Sequence, residues 1–131
     1  MQRPTTISLR TELYSEVSSI VELEYASELT LDELAQRVAS SRRQLQRAFA
    51  EVGNTTFRQY LTRVRMDRAA EMLIRSDLTV REIAHNVGYR QPAQFAKAFR
   101  RRHGAAPSDY RSAGRFSASF ENVDAPVAAA A

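Results

Sequence analysis

Apolar residues recur at helical spacing along most of the chain, and no stretch alternates with period two. Leu9, Leu13, Val17, Val21 and Tyr25 fall at four-residue steps, with Ile20 beside them. That stripe predicts a first helix from about Ser8 to Tyr25. Four short polar patterns then mark helix starts. Thr30-Leu31-Asp32-Glu33, Ser41-Arg42-Arg43-Gln44, Thr56-Phe57-Arg58-Gln59 and Thr79-Val80-Arg81-Glu82 each place a hydroxyl three residues before a Glu or Gln. In that pattern the hydroxyl and the later side chain satisfy free backbone N–H groups. The helices they open are expected to run to about Val38, to Gly53-Asn54, to about residue 75 and to about Val87. Pro92 sits where a last full helix begins, at the first helical position, where its missing N–H costs nothing. That helix is expected to end at His103-Gly104, with a further turn at Ser108-Asp109-Tyr110. The prediction is an all-α fold.

One segment is written twice. LTLDELAQRVA at 29–39 matches LTVREIAHNVG at 78–88. After the turn the match resumes one residue later, with Leu45, Ala48 and Phe49 against Phe95, Ala98 and Phe99. Each copy is a short helix, a tight turn and a second helix, which is the helix-turn-helix whose second helix can enter a major groove. Small residues in the turn (Ala39, Gly88) and inside each first helix (Ala35, Ala84) let the paired helices approach closely. The organisation expected is an N-terminal helix plus first helix-turn-helix over 1–54, a connecting helix over 55–76, a second helix-turn-helix over 77–111 and a mostly disordered tail over 112–131. Solenoids usually need three or more repeats, so two copies count against a plain helical array.

Composition narrows the class. The chain has 131 residues, no cysteine and no run long enough to span a membrane. Disulfides and cysteine zinc sites are excluded. The N-terminus has no apolar run of the secretory kind, which fits a cytoplasmic protein. Charge is uneven. Residues 29–111 carry 16 Lys/Arg against 8 Asp/Glu, a net of +8, whereas residues 1–28 carry −3. A concentrated positive block is the footprint of a nucleic-acid binder.

The outward positions sharpen that reading. On the helix after the first turn, Leu45, Ala48, Phe49 and Val52 point inward, leaving Arg42, Arg43, Gln46 and Arg47 outside with no acid until Glu51. Arg suits guanine and phosphate, and Gln suits adenine, by bidentate geometry. The second copy offers Arg90 in its turn, then Gln91, Gln94, Lys97 and Arg100, while Pro92 and Ala93 can give only apolar contact. The first copy is therefore expected to discriminate sequence more than the second. A connecting helix of about 20 residues is about 30 Å long, close to the ~34 Å between successive major-groove openings on one face of DNA. One chain would then read two grooves of an asymmetric site, monomeric on DNA.

LTLDELAQRVASSRRQLQRAF, FRQYLTRVRMDRAAEML and DLTVREIAHNVGYRQPAQFAKAFRRRHGAAPSDYR together resemble the DNA-binding domain of the AraC/XylS family of bacterial transcription regulators, over about residues 8–111. The resemblance implies two helix-turn-helix units joined by a long helix, double-stranded DNA and RNA polymerase as partners, activator function, no cofactor, no metal, and a place at the nucleoid. Carried over by position, base contacts fall on Arg43, Gln46 and Arg47, and on Ala93, Gln94 and Lys97. Three positions depart from the family pattern: Pro92-Ala93 where polar residues are common, Ser40 in place of a large residue matching Tyr89, and Gly53 one residue before the usual glycine. With about 28 residues ahead of the first unit, the chain looks like the short, single-domain MarA/SoxS/Rob type or, alternatively, a fragment excised from a longer family member. An enzyme is not expected, since His103, Ser108 and Asp109 are near in sequence but nothing orients them. The rival reading is a protein-docking module built on the acidic first helix or on exposed residues of the connector, with Phe116 and Phe120 in the tail as a further docking segment.

Overall fold

The computed structural model describes residues 4–116, with side chains from Thr6 onward. Seven helices account for the described chain: α1 (Pro4–Glu24), α2 (Leu31–Arg37), α3 (Arg42–Glu51), α4 (Phe57–Arg75), α5 (Val80–Asn86), α6 (Pro92–His103) and α7 over 107–116. There is no strand among the described residues. The fold is all-α. Two compact units divide the chain between Arg65 and Met66, inside α4.

Local signals placed the helix starts. Thr30 and Ser41 accept from the N–H groups of Glu33 and Gln44 at 3.1 and 3.2 Å. Thr56–Gln59 and Thr79–Glu82 make both halves of the reciprocal cap. The Thr79 donors hold the Glu82 carboxyl below its ordinary pKa. α1 starts earlier than its stripe predicts, and Leu9 at its outer end is 65% exposed. Pro4 fits the first helical position.

The first unit packs α1, α2, α3 and the first half of α4 around Val17, Val21, Leu34, Leu45, Phe49 and Leu61. Phe49 is fully buried, and the rings of Tyr14, Phe57 and Tyr60 lie edge-on or tilted around it at 5.3, 5.9 and 5.7 Å. Burying such a side chain contributes about 1.5–3 kcal/mol. In the second unit Phe99 is the counterpart, with Phe95, His103 and Tyr110 against it at 5.8, 4.6 and 5.2 Å. Met66, Ala69 and Leu73 of α4 and Ile83 and Val87 around α5 are fully buried there.

The repeated turns have a backbone reason beyond close approach. Ala39 has φ +54° and Gly88 has φ +97°. Both occupy the left-handed region, which costs a residue with a Cβ about 1–2 kcal/mol. The departure at 53–54 resolves similarly. Asn54 takes the left-handed position at φ +51°. Gly53 is needed for space, since a Cβ there would sit 2.5 Å from Tyr14 Cε1.

Arginines close the loops. Arg65 donates to Tyr25 O at 2.7 Å and Ser27 O at 2.9 Å, tying off the end of α1. Arg111 donates to Leu73 O, Ser76 O and Leu78 O at 2.9, 3.3 and 2.5 Å. Arg115 bonds Ser76 O and Asp77. These bonds satisfy carbonyls freed where α4 ends. They also correct the tail boundary: α7 continues past Ser112 because Arg111 and Arg115 anchor it. Residues 117–131, including Phe120, lie outside the described residues.

Ala39→Gly is expected to raise stability by about 0.5–1 kcal/mol, because relief of left-handed strain outweighs the added freedom of the unfolded chain. Urea unfolding reads this, and a loss of stability would contradict the turn geometry. Arg111→Met should cost about 1.5–3 kcal/mol. Arg111→Lys should recover only part of it, since an ammonium lacks the planar fork that reaches three carbonyls.

Candidate nucleic-acid interface

α3 presents one face to its core and the other to solvent. At about 100° per residue, Arg43, Gln46, Arg47 and Ala50 fall on the side opposite Leu45, Ala48 and Phe49. All four are exposed, and the latter three are buried. The four lie at i, i+3, i+4 and i+7, a straight stripe along the helix. No hydrogen bond or ion pair within the described residues engages Arg43, Gln46 or Arg47. Arg42 lies on the flank, 3.6 Å from Asp32 in a pair whose side chains are 61% and 71% exposed. Such a pair is worth about 0–1 kcal/mol and releases its arginine easily.

The acid nearest this face is accounted for. Glu51, at the end of α3, is bonded by Arg10, whose side chain lies buried behind the helix. Other acids are paired on the scaffold. Glu24 takes both Arg37 nitrogens at 2.8 and 2.6 Å, and these bonds hold its carboxyl below the ordinary value. Asp67 takes Arg102 at 3.1 Å on both oxygens, with His103 Nε2 3.3 Å away. The stripe on α3 is left with positive charge and amide groups alone.

α6 carries the corresponding stripe in the second unit. Its outward centre is Ala93, Lys97 and Arg100, matching Arg43, Arg47 and Ala50 across the repeat. Gln94 is exposed but sits at the edge of that stripe, where Gln44 stands in the first unit. Gln46 has Ala96 as its counterpart, which is half-buried. The two glutamines named from sequence are therefore not equivalent. Gln91 is the N-cap of α6, but its side chain makes no capping bond. Arg90 is exposed in the bend before it. The last turn of α6 adds Arg101, Arg102 and His103, of which Arg102 is tied to Asp67.

The residues weighed for catalysis do not form a catalytic group. His103 is half-buried, with Nε2 3.2 Å from Met66 O, and its ring lies against Phe99 and Tyr110. Ser108 and Asp109 are exposed on α7. Among the described residues, no group of His, Cys, Asp and Glu could hold a metal ion. None of the described helices is long and apolar enough to cross a membrane. Sequence reasoning missed the clamps made by Arg65, Arg111 and Arg115, and the burial of Arg10. In the sequence Arg65 and Arg111 look like part of the positive block and Arg10 and Arg115 like isolated surface charges, and only the distant groups they reach separate clamp from free charge.

Comparison with known proteins places this arrangement. A family model described as a helix-turn-helix domain matches residues 34–113. The transcriptional regulator ArgR of Pseudomonas aeruginosa is 33% identical over 108 residues, covering 82% of this chain and 33% of that protein. The activator RclR of Escherichia coli is 39% identical over 82 residues, covering 63% of this chain and 29% of that protein. The chain spans about a third of the length of the first curated relatives it matches. Among solved structures, the DNA-binding domain of AdpA, in complex with a target DNA, superposes with a TM-score of 0.75 at 31% identity, over 79% of this chain and 94% of that one. The C-terminal domain of the response regulator AraT from Geobacillus stearothermophilus gives 0.74 at 29% identity, over 77% and 84%. With the two helix-turn-helix copies, the chain belongs to the AraC-type family of helix-turn-helix DNA-binding domains, and it is not an enzyme domain.

Proposed function

We propose that this domain is the DNA-reading part of a transcription regulator, and that it reads double-stranded DNA with α3 and α6 in adjacent major-groove segments of an asymmetric site. The observation that carries the reading is the outer face of α3. Arg43, Gln46 and Arg47 stand in a line, exposed and without partners among the described residues, on a helix held rigidly by Leu45 and Phe49. Ordered donors on a fixed helix suit base edges, because little side-chain packing has to break before they bind.

The two units have different roles in this reading. Arg43, Gln46 and Arg47 carry most of the base discrimination, with Arg42 moving from Asp32 to a backbone phosphate. On α6, Lys97 and Arg100 supply phosphate or guanine contacts, Gln94 works from the edge, and Ala93 meets a thymine methyl. Arg90 and Gln91 reach the backbone where α6 begins. One chain then occupies both segments without a second copy. In the cytoplasm of a bacterial cell, at the nucleoid, the bound domain would act through contact with RNA polymerase. Exposed Leu23 on the acidic α1 belongs to the surface offered to it.

Arg47→Ala is expected to weaken specific binding by about 1–3 kcal/mol and to relax preference at one base pair. Lys97→Ala should weaken all duplexes more evenly and reduce the salt dependence by about one counterion. Fluorescence anisotropy on a selected site and on scrambled duplexes separates the two effects. Unchanged DNA affinity for Arg47→Ala would overturn the assignment and favour a protein-docking surface.

A further inference from the structure

The two helix-turn-helix copies carry opposite charge on their first helices. At matched positions of α2 and α5, Asp32 stands where Arg81 stands, and Gln36 where His85 stands. All four are exposed. Glu33 and Glu82 are identical across the copies and cancel from the comparison. The longer second turn adds Arg90, which has no counterpart in the first.

In the second unit these residues share one place. Arg81 and His85 lie four positions apart on α5, so they occupy the same helix face. With Asn86, Arg90 and Pro92 they line a concavity of about 600 Å³ between α5 and the start of α6. Glu82 also borders it, but its carboxylate accepts from Thr79 N–H at 3.0 Å. No hydrogen bond or ion pair among the described residues engages Arg81 or His85. The first unit is built the other way. Asp32 lies 3.6 Å from Arg42, the first residue of α3, so a carboxylate stands there and occupies a cation.

When a recognition helix lies in the major groove, the first helix of its motif crosses the sugar–phosphate backbone. We propose that Arg81 and His85 form a phosphate seat that positions the second unit on the DNA backbone, and that Asp32 denies the first unit the same grip. This inference rests on the reading of α3 and α6 as groove-entering helices. Arg81 supplies the charge, and the His85 ring supplies an N–H donor. Phosphate contacts fix register and orientation without carrying base information. α5 therefore holds the duplex while α3 reads it. At the first unit Asp32 repels the phosphate that crosses α2 and competes with DNA for Arg42, which leaves affinity there to the base contacts.

The test is fluorescence anisotropy of the full chain on a selected site and on a scrambled duplex over a range of salt. Arg81→Gln should reduce the slope of log K against log salt by about 0.9, the share of one phosphate contact, on both duplexes. Near 0.1 M salt that is a loss of about five- to ten-fold on each. Arg81→Lys should keep the slope, because an ammonium binds phosphate as a point charge. Asp32→Asn should tighten both duplexes by about two- to five-fold, the size of a screened surface charge. Glu12→Gln makes the same charge change on the face of α1 opposite buried Arg10 and Val17 and should leave both affinities nearly unchanged. Each substituted side chain is exposed, so the fold is retained. An unchanged slope for Arg81→Gln, or equal tightening by Asp32→Asn and Glu12→Gln, would overturn the proposal. Arg47→Ala measured alongside keeps the two readings apart. If it alters site preference while Arg81→Gln leaves the slope untouched, only the phosphate seat falls; no change from either removes the reading of α3 as well.

Discussion

Each unit depends on a chain reversal made in four or five residues between a short helix and its longer partner. That reversal needs one residue in the left-handed region, and Ala39 and Gly88 supply it. Without it, α3 could not seat Leu45, Ala48 and Phe49 on the core while turning Arg43, Gln46 and Arg47 outward. The inward aromatic does the anchoring in both copies. Phe49 and Phe99 are completely buried and ringed by other aromatics, so rotation of either recognition helix about its axis would empty a core position. The cost of that, several kcal/mol for a buried Phe, is what keeps the outer face fixed.

Charge is divided between scaffold and surface. Arg65, Arg111 and Arg115 spend their donors on backbone carbonyls at helix ends. Arg37, Arg102 and Arg10 neutralise Glu24, Asp67 and Glu51. Arg43 and Arg47 on α3 are thereby left without a paired acid, and Arg42 keeps only its exposed partner Asp32. A basic composition by itself is sequence-blind. Base selection requires donors that are unpartnered and held by a rigid helix, and the proposed reading rests on Arg43, Gln46 and Arg47 meeting that requirement.

Much of this was legible in the sequence because the signals were local. Capping patterns located α2 to α5 within a residue or so, since a hydroxyl before a helix acts on atoms three residues away. The inward and outward faces of α3 followed from the 3.6-residue period. What could not be read depended on distant partners. Leu9 continues the α1 stripe but extends beyond the core and stays exposed. Residues 112–116 look featureless, yet they are helical because Arg111 and Arg115 reach back to Ser76. Arg10 looks like one more surface charge, and its burial depends on Glu51, 41 positions away.

The central claim is that one chain reads two groove segments and that the first unit does most of the discriminating. Selection from random duplex pools at two salt concentrations, with sequencing of the bound fraction, tests it most directly. The account predicts an asymmetric motif of two blocks about one helical turn apart, one of them sharply defined and lost in the pool selected by Arg47→Ala. Salt-sensitive binding with no enriched motif would contradict it, leaving the basic face a phosphate-binding surface alone.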